Sequence, residues 1–223
     1  MHLKQAPKAV YILLIFELIL GLLYLYIPKI TNAVSKSLST KDGKVVLLEP
    51  LKINSESRLT SYVDLQKTQI TDKTQIVNSK FAISAWVYVV SVEPSHSPYN
   101  TDATIFEFTD YHPRLIYNGA KGKFKVFFNK AKFTEFDMPL QKWNHVVFNY
   151  TKTHADLFVN GELKGSEKRD AVNENLSIGD VITVGQTDGL SGGVCNIVYF
   201  SHPLIAYEIK TMYDVNKDKD PPM

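Results

Sequence analysis

Hydrophobic positions follow two different patterns along this chain. Val10 to Ile27, VYILLIFELILGLLYLYI, is an apolar run of eighteen residues whose one ionisable side chain is Glu17. From Val45 onward the apolar residues come in short strand-like runs separated by polar or glycine-containing turns. The runs are Val45–Leu48, Leu59–Leu65, Phe81–Val90, Thr104–Thr109, Arg114–Tyr117, Lys123–Asn129, His145–Tyr150, Asp156–Val159, Val181–Val184 and Val194–Phe200. Strand signals at this spacing predict an all-β sandwich or barrel. One late segment changes period: Leu204, Ile205, Glu208, Ile209, Met212 and Tyr213 recur at helical spacing, which predicts a helix over Leu204–Asp214.

Within Ala82–Val89, Ile83, Ala85, Val87 and Val89 fall on one face, and Trp86 and Tyr88 on the other. Apolar side chains on both faces predict a central strand covered on each side. The stretch Trp143–Tyr150 leads through a polar turn into Ala155–Val159, and Asn160-Gly161 follows. Both central residues of a two-residue type I′ turn need positive φ, and Asn-Gly meets that need best. Glu162 to Gly165 then begins the return strand, so a β-meander is expected here.

The N-terminal run divides the chain into segments: a basic lead at 1–9, an anchor at 10–27, a polar stalk at 28–44, a domain at 45–214 and a charged, extended tail at 215–223. Eighteen helical residues at about 1.5 Å each roughly cross a hydrocarbon core of about 30 Å. Tyr11, Tyr24 and Tyr26 suit the two interfaces, and Pro28 is a natural stop. The rival is a cleaved signal peptide. Its apolar core is shorter as a rule, and cleavage after Ala33 would place Thr31 at the −3 position. Lysines flank the run on both sides, so they do not decide orientation. Glu17 lies near mid-span, where an acid is costly without a partner. The reading is a helix–helix contact, within an oligomer or with another membrane protein; the alternative is a carboxyl facing lipid or a water defect.

Composition adds limits. The 223 residues carry a net charge of +2 with both signs interspersed, so no nucleic-acid footprint stands out. The single cysteine, Cys195, rules out an intrachain disulfide framework.

Several blocks now occur in one order: Tyr62-Val63-Asp64-Leu65, Phe81 to Val87, the Trp143/His145 strand, the Asn160-Gly161 turn, Ile182-Thr183-Val184-Gly185, and Gly192 to Phe200 before Pro203-Leu204. Together they resemble the laminin-G-like, concanavalin A-like jelly-roll family. The resemblance implies a two-sheet antiparallel jelly-roll sandwich with one short C-terminal helix. In that setting Trp86, Trp143, His145, Asn160 and Gly161 are fold-signature positions. The ending GGVCNIVYFSHPL, with DKDPPM at the tail, also resembles membrane-anchored laminin-G-like proteins of large DNA viruses. That second resemblance implies a minor virion component linking a capsid layer to a membrane.

Candidate chemistry is sparse. Trp86 and Trp143 could stack on a sugar, but each lies in or beside a β run, which favours the core. His145 has no second His or Cys at ligand spacing, so a hydrogen-bonded structural histidine is expected. Glycosidases of this jelly roll carry E-x-D-x-x-E or E-x-D-x-x-x-E strands. Here Glu135-Phe136-Asp137 supplies the first pair, and Leu140 or Gln141 stands at the third place. The triad is broken, and no enzyme is expected. Calcium often assists sugar binding in related modules, through loop carboxylates and carbonyls. Asp64, Asp102, Asp110, Asp180 and Asp188 show no ligand spacing, so no site is assigned. Cys195, inside an apolar strand, reads as an inert thiol. Asn175 and Asn149 open N-glycosylation sequons, and Asn149 lies on an expected strand. The sequence thus reads as a non-enzymatic, membrane-anchored structural or interaction protein. Its partners would be a membrane through 10–27 and other structural or capsid proteins. The alternative is a lectin-like glycan- or receptor-binding module.

Overall fold

The computed structural model describes residues 8–39, 42–65, 80–90, 98–108, 113–130, 132–169 and 180–223. They fall into two compact units, Met1–Leu38 and Ser39–Met223.

The described residues of the first unit lie in one helix, α1 (Lys8–Ser39), 32 residues long. Its window Val10–Ile27 is long and apolar enough to cross a membrane, and all of it is exposed. The helix does not stop at Pro28. It runs on to Ser39 through most of the stretch expected as an irregular stalk. Proline already holds a helix-compatible φ and forfeits one backbone donor, while extension of an existing helix is far easier than nucleation.

The second unit is built from β1 (Gly43–Leu47), β2 (Leu51–Lys52), β3 (Ser57–Ser61), the helical turn α2 (Tyr62–Leu65), β4 (Phe81–Val89), β5 (Asp102–Phe108), β6 (Arg114–Asn118) and β7 (Lys123–Phe127). Then follow β8 (Phe133–Phe136), β9 (Asn144–Tyr150), β10 (His154–Val159), β11 (Glu162–Lys168), β12 (Val181–Val184), β13 (Gly192–Phe200) and α3 (Ala206–Asn216). One sheet has the order β1-β13-β4-β9-β10-β11, with β2 also on β13; the other has the order β3-β12-β5-β6-β7-β8. Every pairing is antiparallel. This is the expected jelly-roll sandwich.

The main core fills the space between the sheets, where Phe81, Ile83 and Val87 of β4 meet residues such as Phe106, Phe108 and Phe124. A smaller core lies on the outer side of the first sheet. There Ala82, Val147, Val198 and Phe200 are covered by Leu204, Ile209 and Met212. β4 is therefore apolar on both faces because one packs on the second sheet and the other on α3. At the edge of the first sheet β11 is mostly exposed, with Glu162, Lys164 and Lys168 open to solvent.

Two expectations need correction. Leu59–Leu65 is not one strand: β3 ends at Ser61 and the chain turns into α2. The Ser61 hydroxyl accepts from the Asp64 backbone N–H at 3.4 Å and donates to its carboxylate at 2.6 Å, offering the backbone an alternative to the ladder. The turn sends Tyr62 into the core beside Phe108 and Tyr199. The tail is not extended either. After α3 it bends back, with Lys219 N–H donating to Asn216 O and Met223 N–H to Pro221 O.

Candidate functional site

The signature residues of the sequence converge on one place, the outer face of the first sheet beneath α3 and the tail. The β10–β11 turn has Asn160 at φ 53° and Gly161 at φ 81°, as a type I′ turn requires. Asn160 ties this turn to the start of β9. Its Oδ1 accepts from His145 N–H at 2.9 Å, its own N–H donates to His145 O at 2.8 Å, and its Nδ2 donates to Asn144 Oδ1 at 3.0 Å. The Asn144 Nδ2 in turn donates to the carbonyls of Pro139 and Lys142. Gly161 faces α3 so closely that a β-carbon would meet Lys210 Cδ at 2.7 Å.

His145 is 1% exposed and points to the α3 side. Its Nε2 shares a hydrogen bond with the Ser84 hydroxyl at 2.8 Å, and its Nδ1 has no partner among the described residues. Burial pushes its pKa down to about 3, which keeps the imidazole neutral. Trp86 lies 5.0 Å from the His145 ring, and Tyr213 of α3 stacks over Trp86 at 6.0 Å. Trp86 thus belongs to the packed interior, as expected. Trp143 does not: it is half-buried, 5.4 Å from Tyr88, and its indole N–H donates to Asp220 Oδ1 at 3.0 Å. The tail is pinned a second time where Asn196, at a bulge in β13 with φ 47°, donates its Nδ2 to Pro222 O at 3.1 Å.

Between the Tyr88–Trp143 pair and the tail lies a groove of about 620 Å³. Gln141, Lys142, Lys217 and Asp218 line its open side, while Asn144 and Asn160 lie at its wall with their amides already paired. The groove combines a little aromatic surface with mostly polar and charged lining. Sequence reasoning missed Tyr88, Tyr213 and Asp220 as parts of it. Tyr213 showed only as a helical-period residue, and Asp220 had no pattern to announce it.

The remaining candidates disperse. Glu135 pairs with Lys125 at 3.6 Å and Asp137 with Lys123 at 2.7 Å, while Leu140 packs against the main core and Gln141 is an exposed turn residue. Asp102 is pulled upward by desolvation, yet the Asn118 amide and the Lys125 charge hold its carboxyl below the usual range. Asp64 lies within α2, its backbone N–H capped by the Ser61 hydroxyl and its carboxylate accepting from that hydroxyl, and Asp188 sits in a turn; Asp110 lies outside the described residues. Among the described residues no three His, Cys, Asp or Glu side chains come together. Cys195 is buried, and burial pushes its thiol up to about 12. Asn149, the sequon residue expected on a strand, lies on β9, is 4% exposed, and its amide makes a reciprocal pair with the Leu204 backbone. Asn175 lies outside the described residues. Glu17 is exposed on α1.

The profile Laminin_G_3, of the concanavalin A-like lectin/glucanases superfamily, matches residues 60–210, more than half of the chain. The chain belongs to this superfamily. Among solved structures, this laminin-G-like chain is similar to the receptor binding domain of botulinum neurotoxin D. The TM-score is 0.57 at 16% identity, over 77% of this chain and 47% of that one. The serotype D ligand binding domain in complex with N-acetylneuraminic acid gives 0.57 at 17%, over 77% and 46%. The binding domain of neurotoxin DC in complex with rat synaptotagmin II gives 0.53 at 15%, over 78% and 45%. The likeness is one of fold, and the laminin-G-like chain spans less than half the length of these domains. No curated protein matches it.

Proposed function

We propose that this chain is a non-catalytic recognition module that α1 tethers to a membrane. What carries the reading is where the reactive side chains go. His145 is buried and neutral, Cys195 is a buried thiol, and Glu135 and Asp137 are each ion-paired with a lysine on the surface. Among the described residues, these candidates from the sequence are buried or ion-paired and do not gather into a reactive site. What the domain leaves open is surface, and the apolar α1 holds that surface near a bilayer. A protein partner is the leading reading, since a laminin-G-like sandwich offers broad faces for docking. A chain containing this fold, the binding domain of botulinum neurotoxin DC, has been solved in complex with rat synaptotagmin II. The virion setting rests on the resemblance of the C-terminal sequence, and the comparisons add no support to it.

A second reading, saccharide recognition, is favoured by the Tyr88–Trp143 groove, because an aromatic face suits the C–H face of a pyranose. Another chain containing the fold has been crystallised with N-acetylneuraminic acid. The test uses the Ser39–Met223 unit on a glycan array and as bait with cross-linking in membranes of the native host cell, each with and without calcium. A specific protein partner with a silent array upholds the leading reading. Selective glycan binding that Trp143→Ala abolishes moves the assignment to the second. Membrane attachment is read on the full chain by alkaline extraction, which should leave it in the bilayer and release a variant lacking 10–27.

A further inference from the structure

We infer that α1 pairs with α1 of a second copy through the face that carries Glu17 and Gly21, an inference that rests on the membrane reading of this helix. The eighteen residues Val10–Ile27 rise about 27 Å, and Glu17 lies about 2 Å from the middle. Tyr11, Tyr24 and Tyr26, the other polar side chains of the span, stand near its ends. Glu17 therefore has no counterpart at its own depth on its own helix. A carboxyl at that depth is costly unless something hydrogen-bonds it, and such groups characteristically face a partner rather than lipid.

The helix supplies a docking face. Leu14, Glu17, Gly21 and Tyr24 recur at alternating three- and four-residue steps, so they share one side of α1. Gly21 sits one turn beyond Glu17, and a β-carbon there would meet nothing within 4 Å. A small residue at this point lets a second backbone approach closely enough for short polar contacts.

The occupant follows from depth and chemistry. A single-pass chain inserts each copy the same way round, so Glu17 of one copy lies level with Glu17 of its partner. In the acid form two such carboxyls satisfy each other, each O–H donating to the other's carbonyl oxygen. A helix of different sequence would have to offer a donor at that one level; a second copy does so by construction.

The experiment reconstitutes the full chain, donor- and acceptor-labelled, in phosphatidylcholine vesicles and follows energy transfer against the protein-to-lipid ratio. Alkaline extraction of the same vesicles comes first: release of the chain refutes the membrane reading itself. With the chain retained, transfer should show saturable dimer formation. Glu17→Gln, whose amide both donates and accepts, should keep the dimer. Glu17→Leu should weaken association roughly five- to thirtyfold, the range of one or two interhelical hydrogen bonds, and Gly21→Ile should also weaken it. A retained but monomeric wild-type chain overturns the pairing, and so does a Glu17→Leu variant that associates as tightly as wild type.

Discussion

The indole N–H of Trp143 donates to the Asp220 carboxylate at 3.0 Å, joining the first residues of the central hairpin to the end of the chain. With the Asn196–Pro222 contact it makes the tail part of the domain's own packing.

Loss of that bond is the first prediction. Asp220→Ala removes one partly exposed hydrogen bond, so the domain should lose about 0.5–1.5 kcal/mol in urea unfolding. Trypsin should cut sooner at Lys217 and Lys219. Unchanged proteolysis would mean that the tail is held elsewhere.

His145 predicts a pH dependence. Its folded pKa, about 3, lies below the ordinary value of 6.5. Between these values the unfolded chain binds a proton that the folded chain refuses, so stability falls as pH drops from about 6.5. The slope approaches ~1.4 kcal/mol per pH unit for this one group. Denaturant midpoints from pH 7 to pH 5 should fall more gently in His145→Gln. Equal slopes would refute a buried neutral imidazole.

Two glycines separate strain from collision. Gly122 has φ 62° with nothing near its missing β-carbon, whereas Gly185 has φ 73° and the Ser55 carbonyl oxygen within contact. Gly122→Ala should cost about 1–2 kcal/mol, the penalty of the left-handed conformation. Gly185→Ala adds a backbone clash and should cost visibly more, read as a larger fall in Tm.

Cys195 should resist modification. Buried with its thiol pushed up to about 12, it offers little thiolate. A thiol reagent at pH 8 should label it only on unfolding; rapid labelling of the native chain would contradict the packing around β13.

Local signals were legible and long-range ones were not. The double-faced apolar pattern of β4 foretold two packing layers, and Asn160-Gly161 foretold its turn, because both are written in adjacent residues. The helical spacing of Ile209, Met212 and Tyr213 likewise announced α3. The break at Ser61 was missed because Leu59, Ser61, Val63 and Leu65 alternate like a strand, while the hydroxyl–carboxylate contact that ends it leaves no period. Continuation of α1 past Pro28 was missed because a proline was read as a stop. The groove was missed because it needs Tyr88, Trp143 and Asp220 together, and only the fold brings them there.

Strand β11 has a consequence for solubility. It is the terminal strand of its sheet, and Glu162, Lys164 and Lys168 stand exposed along its seven residues. A foreign strand adding to this edge would have to desolvate those charges, so the edge resists aggregation by sheet extension. High local concentration on a membrane would therefore not, along this edge, turn neighbouring domains into a continuous sheet.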